Sequence, residues 1–258
     1  MNEIKMIFFD IDGTLLPMHQ KQLSKNTLTC LKALQAKGIM IVLATGRSAM
    51  TLPTFNGIDF DAFLTFNGSV CFNHEGILYH HPIPKEDVKR IYENASAIHR
   101  PIALATMNAL VASGSDQDLA DYYAFASQTL IPDEHFEDYL NQDVYQIMMG
   151  AYANEYDTIL EGVTGAKITA WWDRAVDIIP SGSGKGIAIE KMLELFDFKK
   201  ENVMAFGDGN NDIEMLQSVG WGVAMSNASD ALKAVADDIC GSVEEDGIYH
   251  YCLKHHIM

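Results

Sequence analysis

An apolar run that stops abruptly in acid constrains this chain more than any other feature. In Ile4-Lys5-Met6-Ile7-Phe8-Phe9 five of six residues are apolar, and Asp10-Ile11-Asp12-Gly13-Thr14 follows at once. A run that short, with no polar alternation, is expected to form a strand buried on both faces, as in a parallel sheet covered by helices. In open α/β sheets ligands sit beyond the carboxyl ends of the strands. Asp10 and Asp12 point the same way in an extended chain. Two carboxylates side by side raise each other's pKa, and a hard divalent cation with a taste for oxygen ligands removes the conflict. The same residues also make a solvated turn at a strand end, which Asp-Gly favours.

The pattern recurs. Ser24 is placed to cap a helix whose Leu28, Leu31, Ala33 and Leu34 have helical spacing, and Lys37-Gly38 stops it. Ile39 to Leu43 is a second apolar strand, running into Ala44-Thr45-Gly46-Arg47-Ser48, with a helix expected before Pro53. This is the strand–helix–strand pattern of a parallel sheet. Thr45 and Gly46 fall at a strand end, where a hydroxyl and backbone N–H groups can hold an anion. A helix cap at Ser48 and a turn at Gly46 explain the same residues equally well. Ala62 to Phe66 is a third strand, followed by Asn67-Gly68, and residues 70–72 and 77–79 read as a hairpin.

Much later, Val203 to Phe206 forms another buried strand, ending in Gly207-Asp208-Gly209-Asn210-Asn211-Asp212. A calcium loop is excluded, because Ile213 and Val219 stand where glycine and glutamate are required. Carboxylates and carboxamides beyond a strand end fit metal and phosphate ligands better. A helix over 211–217, a strand over 221–225, a helix over 228–236 and a helical segment after Asp246-Gly247 are expected to follow.

Between about 82 and 180 the character changes. Helices are expected over 85–99, 116–129 and 155–160, and strands over 101–106, 110–112, 144–151, 168–172 and 175–179, without the acid punctuation. The reading is an inserted α+β module: core 1–81, insertion 82–180, core 181–258. Ser181-Gly182-Ser183-Gly184-Lys185-Gly186 is a flexible joint opening a helix from Ile187 to Phe196. It lacks the spacing of a phosphate-binding P-loop. Lys185 is either a phosphate contact or, as lone lysines commonly are, a solvated linker residue.

Composition narrows the function classes. The formal net charge of -17 over 258 residues argues against nucleic acid and anionic membrane as partners. Cys30, Cys71, Cys240 and Cys252 are widely spaced, so reduced buried thiols and a cytoplasmic location are expected. Neither a signal peptide nor a membrane-spanning segment is expected. The nine histidines form no metal-binding pattern.

Taken in order, Asp10-Ile11-Asp12-Gly13-Thr14, Ala44-Thr45-Gly46-Arg47, Lys185-Gly186 and Gly207-Asp208-Gly209-Asn210-Asn211-Asp212 resemble the four motifs of the haloacid dehalogenase superfamily. The long insertion between the second and third motifs is similar to the type-two (C2B) cap of the Cof-like sugar-phosphate phosphatases, and Asn67-Gly68 resembles that subfamily's Asn-Gly. The resemblance spans the chain. It implies an α/β fold, a doubly wound Rossmann-like parallel sheet with an inserted α+β cap that closes over the site through joints near residues 80–82 and 180–184. Asp10 would be the nucleophile forming an aspartyl-phosphate, and Asp12 the general acid and then base. Magnesium would be held by Asp10, the Asp12 carbonyl, Asp208 and Asp212. Thr45, Gly46, Lys185, Asn211 and the Ile11 N–H would bind the phosphoryl group. In the cap, Trp172 and Arg174 would meet the non-phosphate end of a small phosphate ester, with Trp171 in the cap core. Hexose phosphates are the expected substrates. The alternatives are a flavin phosphate, pyridoxal phosphate or pyrophosphate, or a non-catalytic regulator that binds phosphometabolites; the intact Asp10/Asp12 pair speaks against a pure binder.

Overall fold

The computed structural model describes residues 3–17, 20–125, 128–170 and 172–258. The chain begins β1 (Met6–Phe9), α1 (Lys25–Ala36), β2 (Met40–Ala44), β3 (Ala62–Thr65), β4 (Val70–Asn73) and β5 (Gly76–His80). Then come α2 (Lys85–Ala97), β6 (Ile102–Ala105), β7 (Leu110–Ala112), α3 (Gln117–Phe125), α4 (Phe136–Tyr139), β8 (Gln146–Gly150), α5 (Tyr156–Ile159), β9 (Ala166–Thr169) and β10 (Ala175–Pro180). It ends with α6 (Lys185–Phe196), β11 (Val203–Gly207), α7 (Ile213–Gln217), β12 (Trp221–Ala224), α8 (Asp230–Lys233), β13 (Asp238–Ile239) and α9 (Gly247–Lys254).

These elements form two compact units. The first comprises Met1–Gly46, Pro53–Tyr79 and Gly184–Met258, the second Arg47–Leu52 and His80–Ser183. In the first unit an eight-stranded sheet has the order β13-β12-β11-β1-β2-β3-β4-β5. It is parallel from β13 to β3, and β4 runs antiparallel to β3. Met6, Ile7, Phe8 and Phe9 are completely buried, as an apolar run in the middle of a covered sheet must be. β1 lies between β11 and β2, with Phe9 level with Phe206 on one side and Leu43 on the other. That register brings the residues after all three strands to one edge. Ser24 caps α1 by accepting the Thr27 N–H at 3.0 Å, and Gly38, at φ +78°, ends its turn.

The second unit holds a five-stranded antiparallel sheet, β7-β6-β8-β10-β9. Its core takes alternate residues from the strands, including Ile102 and Leu104, Ile147 and Met149, and Val176 and Ile178, together with Val88, Ile91 and Ala95 of α2.

Some expected elements differ. The helix before Pro53 is a single 3-10 turn, Ala49–Thr51. Leu52 is extended at ψ 132°, the conformation that a following proline favours. The strand expected over 168–172 is β9, which starts earlier because Ala166 pairs with Pro180 and Thr169 with Asp177; Trp171 lies outside the described residues. The helix expected over 228–236 shrinks to α8, where Ser229 accepts the Leu232 N–H. α3 ends at Phe125, and the rest of the helix expected over 116–129 includes residues outside those described. α4 and β13, both very short, had no signal in the sequence. Among the described residues no helix is long and apolar enough to cross a membrane.

Candidate active site

The carboxyl edge of the first unit's sheet gathers the acidic motifs. The Asp10 N–H donates to Phe206 O at 3.0 Å, so the end of β1 is stitched to the end of β11. Beyond it the chain folds back: the N–H groups of Thr14, Leu15 and Leu16 converge on Ile11 O, and Gly13 N–H reaches Leu16 O. Gly13 is at φ +89°, and a Cβ there would stand 2.1 Å from Asp208 Oδ2. Only glycine allows that approach. Thr14 Oγ1 donates to Asp208 Oδ1 at 2.8 Å, and Asn227 Nδ2 holds Gly13 O at 2.8 Å.

After β11 the loop closes on itself. The Asp208 and Gly209 N–H groups both donate to Asp212 Oδ2 at 3.0 Å. The other Asp212 oxygen accepts from Lys185 Nζ at 2.5 Å, and Asp10 Oδ1 accepts from the same ammonium at 2.7 Å. Lys185 is the first residue of α6 and is 1% exposed. It is a buried clamp between the first and last motifs, not a solvated linker residue. One ligand oxygen from each of Asp10, Asp208 and Asp212 lies within 4.8 Å of the others, a set that can hold a metal ion.

The charges in this cluster do not balance. Burial pushes the Asp10 carboxyl well up; Lys185 opposes the shift, while Asp212, Asp208 and Asp12 add to it. Asp208 is raised to about 7, by burial first and then by Asp212, against the Thr14 hydrogen bond and Lys185. Lys185 itself would lose its proton more easily through burial, but Asp10 and Asp212 outweigh that and hold it firmly cationic. Asp12 is half-buried and stands outside the three-carboxylate set.

Thr45 is buried at the end of β2, its N–H donating to Leu64 O at 2.9 Å. Gly46 follows it, packed so that a Cβ would meet the Asn67 amide at 3.1 Å. Asn211 Nδ2 donates to Asn67 Oδ1 at 3.1 Å. So Asp10, Asp208, Asp212 and Lys185 are in one cluster, and Thr45, Gly46 and Asn211 meet at Asn67, a residue that the sequence marks only by the pair Asn67-Gly68. Trp172 and Arg174 belong to the second unit. There the Arg174 guanidinium lies over the Trp172 ring at 4.2 Å and pairs with Asp121 at 3.0 Å and Asp118 at 3.6 Å.

Comparison with known proteins gives this geometry a setting. A profile described as haloacid dehalogenase-like hydrolase matches residues 7–252. The chain is 29% identical over 251 residues to the protein YkrA of Bacillus subtilis, covering 97% of this chain and 96% of that one. It is 27% identical over 274 residues to a 5-amino-6-(5-phospho-D-ribitylamino)uracil phosphatase of the same organism, covering 97% of each. Among solved structures, a sugar phosphatase of HAD subclass IIB superposes with a TM-score of 0.87 at 30% identity, over 98% of this chain and 100% of that one.

Proposed function

We propose that this chain, which belongs to the haloacid dehalogenase-like hydrolases, is a magnesium-dependent phosphatase of small phosphate esters, with hexose phosphates as the preferred class. Its reaction class, hydrolysis of phosphoric monoesters, is that of its named relatives. The metal, the substrate and the residue roles are our reading. One observation carries it: the oxygens of buried Asp10 and Asp212 and half-buried Asp208 converge, and one lysine, Lys185, bonds the first two. Burial and mutual repulsion hold Asp10 and Asp208 far from their ordinary acidity, and a divalent cation fits as the missing positive charge. When bound, magnesium supplies charge stabilisation to the transferring phosphoryl group.

The chain's own residues do the rest. Asp10 attacks phosphorus; its new O–P bond forms as the bond to the leaving oxygen breaks. Asp12 gives that oxygen its proton. As a carboxylate, Asp12 then takes a proton from water, whose oxygen attacks the aspartyl-phosphate, releasing inorganic phosphate and Asp10. Lys185, Thr45, Gly46, Asn211 and the Ile11 N–H hold the phosphoryl oxygens, and such transfer depends mostly on positioning and charge. Trp172 and Arg174 are proposed to read the non-phosphate part. Buried thiols at Cys30, Cys71, Cys240 and Cys252 suit a reducing compartment, and we place the protein in the cytoplasm.

The test is phosphate release from an aryl phosphate and from a panel of hexose and ribityl phosphates, with magnesium and with excess chelator. Turnover is expected with magnesium only, highest on the hexose phosphates. Asp10→Asn is expected to fall to background. Undiminished turnover in chelator would overturn the metal, and an active Asp10→Asn the nucleophile.

A further inference from the structure

We propose that Asn67 is a positioning residue that sets Thr45, Gly46 and Asn211 against one another. The inference rests on those three binding the phosphoryl group, as proposed above. They come from two separate motifs, after β2 and after β11. Asn67 touches all three. Its N–H donates to Thr45 O at 3.1 Å. Its amide packs on Gly46, close enough that a Cβ there would sit 3.1 Å from Oδ1 and 3.2 Å from Nδ2. Its Oδ1 accepts one Asn211 Nδ2 hydrogen at 3.1 Å, which fixes the plane of that amide and the direction of its second N–H.

The backbone supports this reading. Phe66 and Asn67 are consecutive non-glycine residues at φ +52° and +53°. Each such residue costs on the order of 1 kcal/mol and persists only where its surroundings hold it. Asn67 is 2% exposed. Gly68, at φ +89°, presses so close to the N-cap of α6 that a Cβ would stand 2.5 Å from Gly184 O. The same short segment therefore also abuts the start of the helix that carries Lys185. Asparagine suits the site because it tolerates the left-handed region better than most residues and carries a neutral amide. An aspartate would bring negative charge beside a phosphate.

The test uses Asn67→Gly, which keeps the left-handed backbone accessible and removes the side chain with its amide. The dissociation constant of inorganic phosphate from the magnesium-loaded protein is measured by calorimetry, together with KM and kcat for an aryl phosphate, the magnesium half-saturation and Tm. Loss of one net hydrogen bond is expected to raise the phosphate Kd and KM together by about tenfold, with the magnesium half-saturation unchanged. In an Asn211→Ala background the same change is expected to add much less, because part of its effect runs through Asn211. A folded Asn67→Gly with unchanged phosphate Kd, even with a lowered Tm or kcat, overturns the inference, as do fully additive effects in the double variant. Should Asn67→Gly fail to fold, Asn67→Asp preserves size and backbone preference, and its phosphate Kd is expected to rise more than tenfold; an unchanged Kd there overturns it equally. Wild-type protein that neither turns over nor binds phosphate would overturn the phosphatase reading as well. Wild-type binding and turnover with an indifferent Asn67 would overturn this inference alone.

Discussion

Each unit of this protein gathers carboxylates around a cation, and the two clusters come out opposite. In the first unit Lys185 is shared by Asp10 and Asp212, with Asp208 alongside. In the second unit Arg100 takes Asp118 at 2.8 Å and Asp116 at 3.1 Å on one nitrogen, and Glu155 through two parallel bonds at 3.0 and 3.1 Å. Arg174 shares Asp118 and adds Asp121. Around Arg100 the acids are satisfied: burial pulls Glu155 upward, but the Arg100 bonds outweigh it and leave the carboxyl lowered. The guanidinium is held more firmly protonated, chiefly by its bond to Glu155. Around Lys185, Asp10 and Asp208 are both raised. Each cluster sets three carboxylates against one central cation, so what differs is burial. The Lys185, Asp10 and Asp212 side chains are 0–9% exposed, whereas Arg100 and its three acids are 14–24% exposed and the five-donor fork bonds all three. Excess charge shut away from water marks a site with work to do, and charge left within reach of water with every acid bonded marks a brace.

Removing each cation separates the two roles most sharply. Lys185→Met is expected to cut kcat/KM for an aryl phosphate by roughly 100- to 1,000-fold, the scale of losing one preorganised charge contact in a transition state. The magnesium half-saturation is expected not to rise, since the variant removes a competing positive charge. A variant that kept its rate but lost its Tm would make Lys185 a brace like Arg100.

Arg100→Met is the mirror experiment. It is expected to cost about 2–3 kcal/mol of stability, by leaving half-buried acids without their partner, while aryl phosphate turnover is kept. The pH dependence has a definite sign. Glu155 titrates lower in the folded chain than its ordinary carboxylate value, so its contribution is complete above pH ~4.3 and is lost as the pH falls through the depressed folded value. The gap in Tm between wild type and Arg100→Met is therefore expected to be full near neutral pH and to narrow in acid. A gap that widened in acid would break the assignment.

The same contrast explains what the sequence made legible. The first unit's motifs are contiguous and follow apolar runs, so β1, β2, β3 and β11 and the placement of Asp10, Thr45 and Asp208 at one edge could be read from residue type and spacing. Lys185 could not be resolved that way, because a lysine after a glycine-rich joint looks the same buried or solvated. Its 2.7 Å contact with Asp10 spans 175 positions of sequence. Arg100 was invisible for a related reason: its partners lie 16, 18 and 55 residues away, on segments brought together only by the second unit's fold. Asn67 carried a signal in the pair Asn67-Gly68, but its meaning lies in a backbone conformation and a contact with Asn211 that spacing does not encode. β9 was displaced because apolar and aromatic residues at 168–172 outweighed the quieter start at Ala166, which pairing with Pro180 settles.

Arg174 stands between the two regimes, and the smallest expected effect is the one that places it. It shares Asp118 with Arg100, as a brace would, yet it is 34% exposed by side chain and stacks on Trp172 at 4.2 Å. An exposed guanidinium on an aromatic face is worth ~0.5–1 kcal/mol, so either role predicts a modest effect and only its distribution tells them apart. As a reader of the substrate's non-phosphate part, Arg174→Ala is expected to change kcat/KM for hexose phosphates by about two- to fivefold relative to an aryl phosphate, corresponding to that ~0.5–1 kcal/mol, with a smaller drop in Tm than Arg100→Met. The ratio between substrates is the decisive quantity, because a loss of fold stability lowers every substrate alike. An unchanged ratio with a Tm loss equal to that of Arg100→Met would assign Arg174 to the brace, and the residues that choose the substrate would have to be sought elsewhere in the second unit.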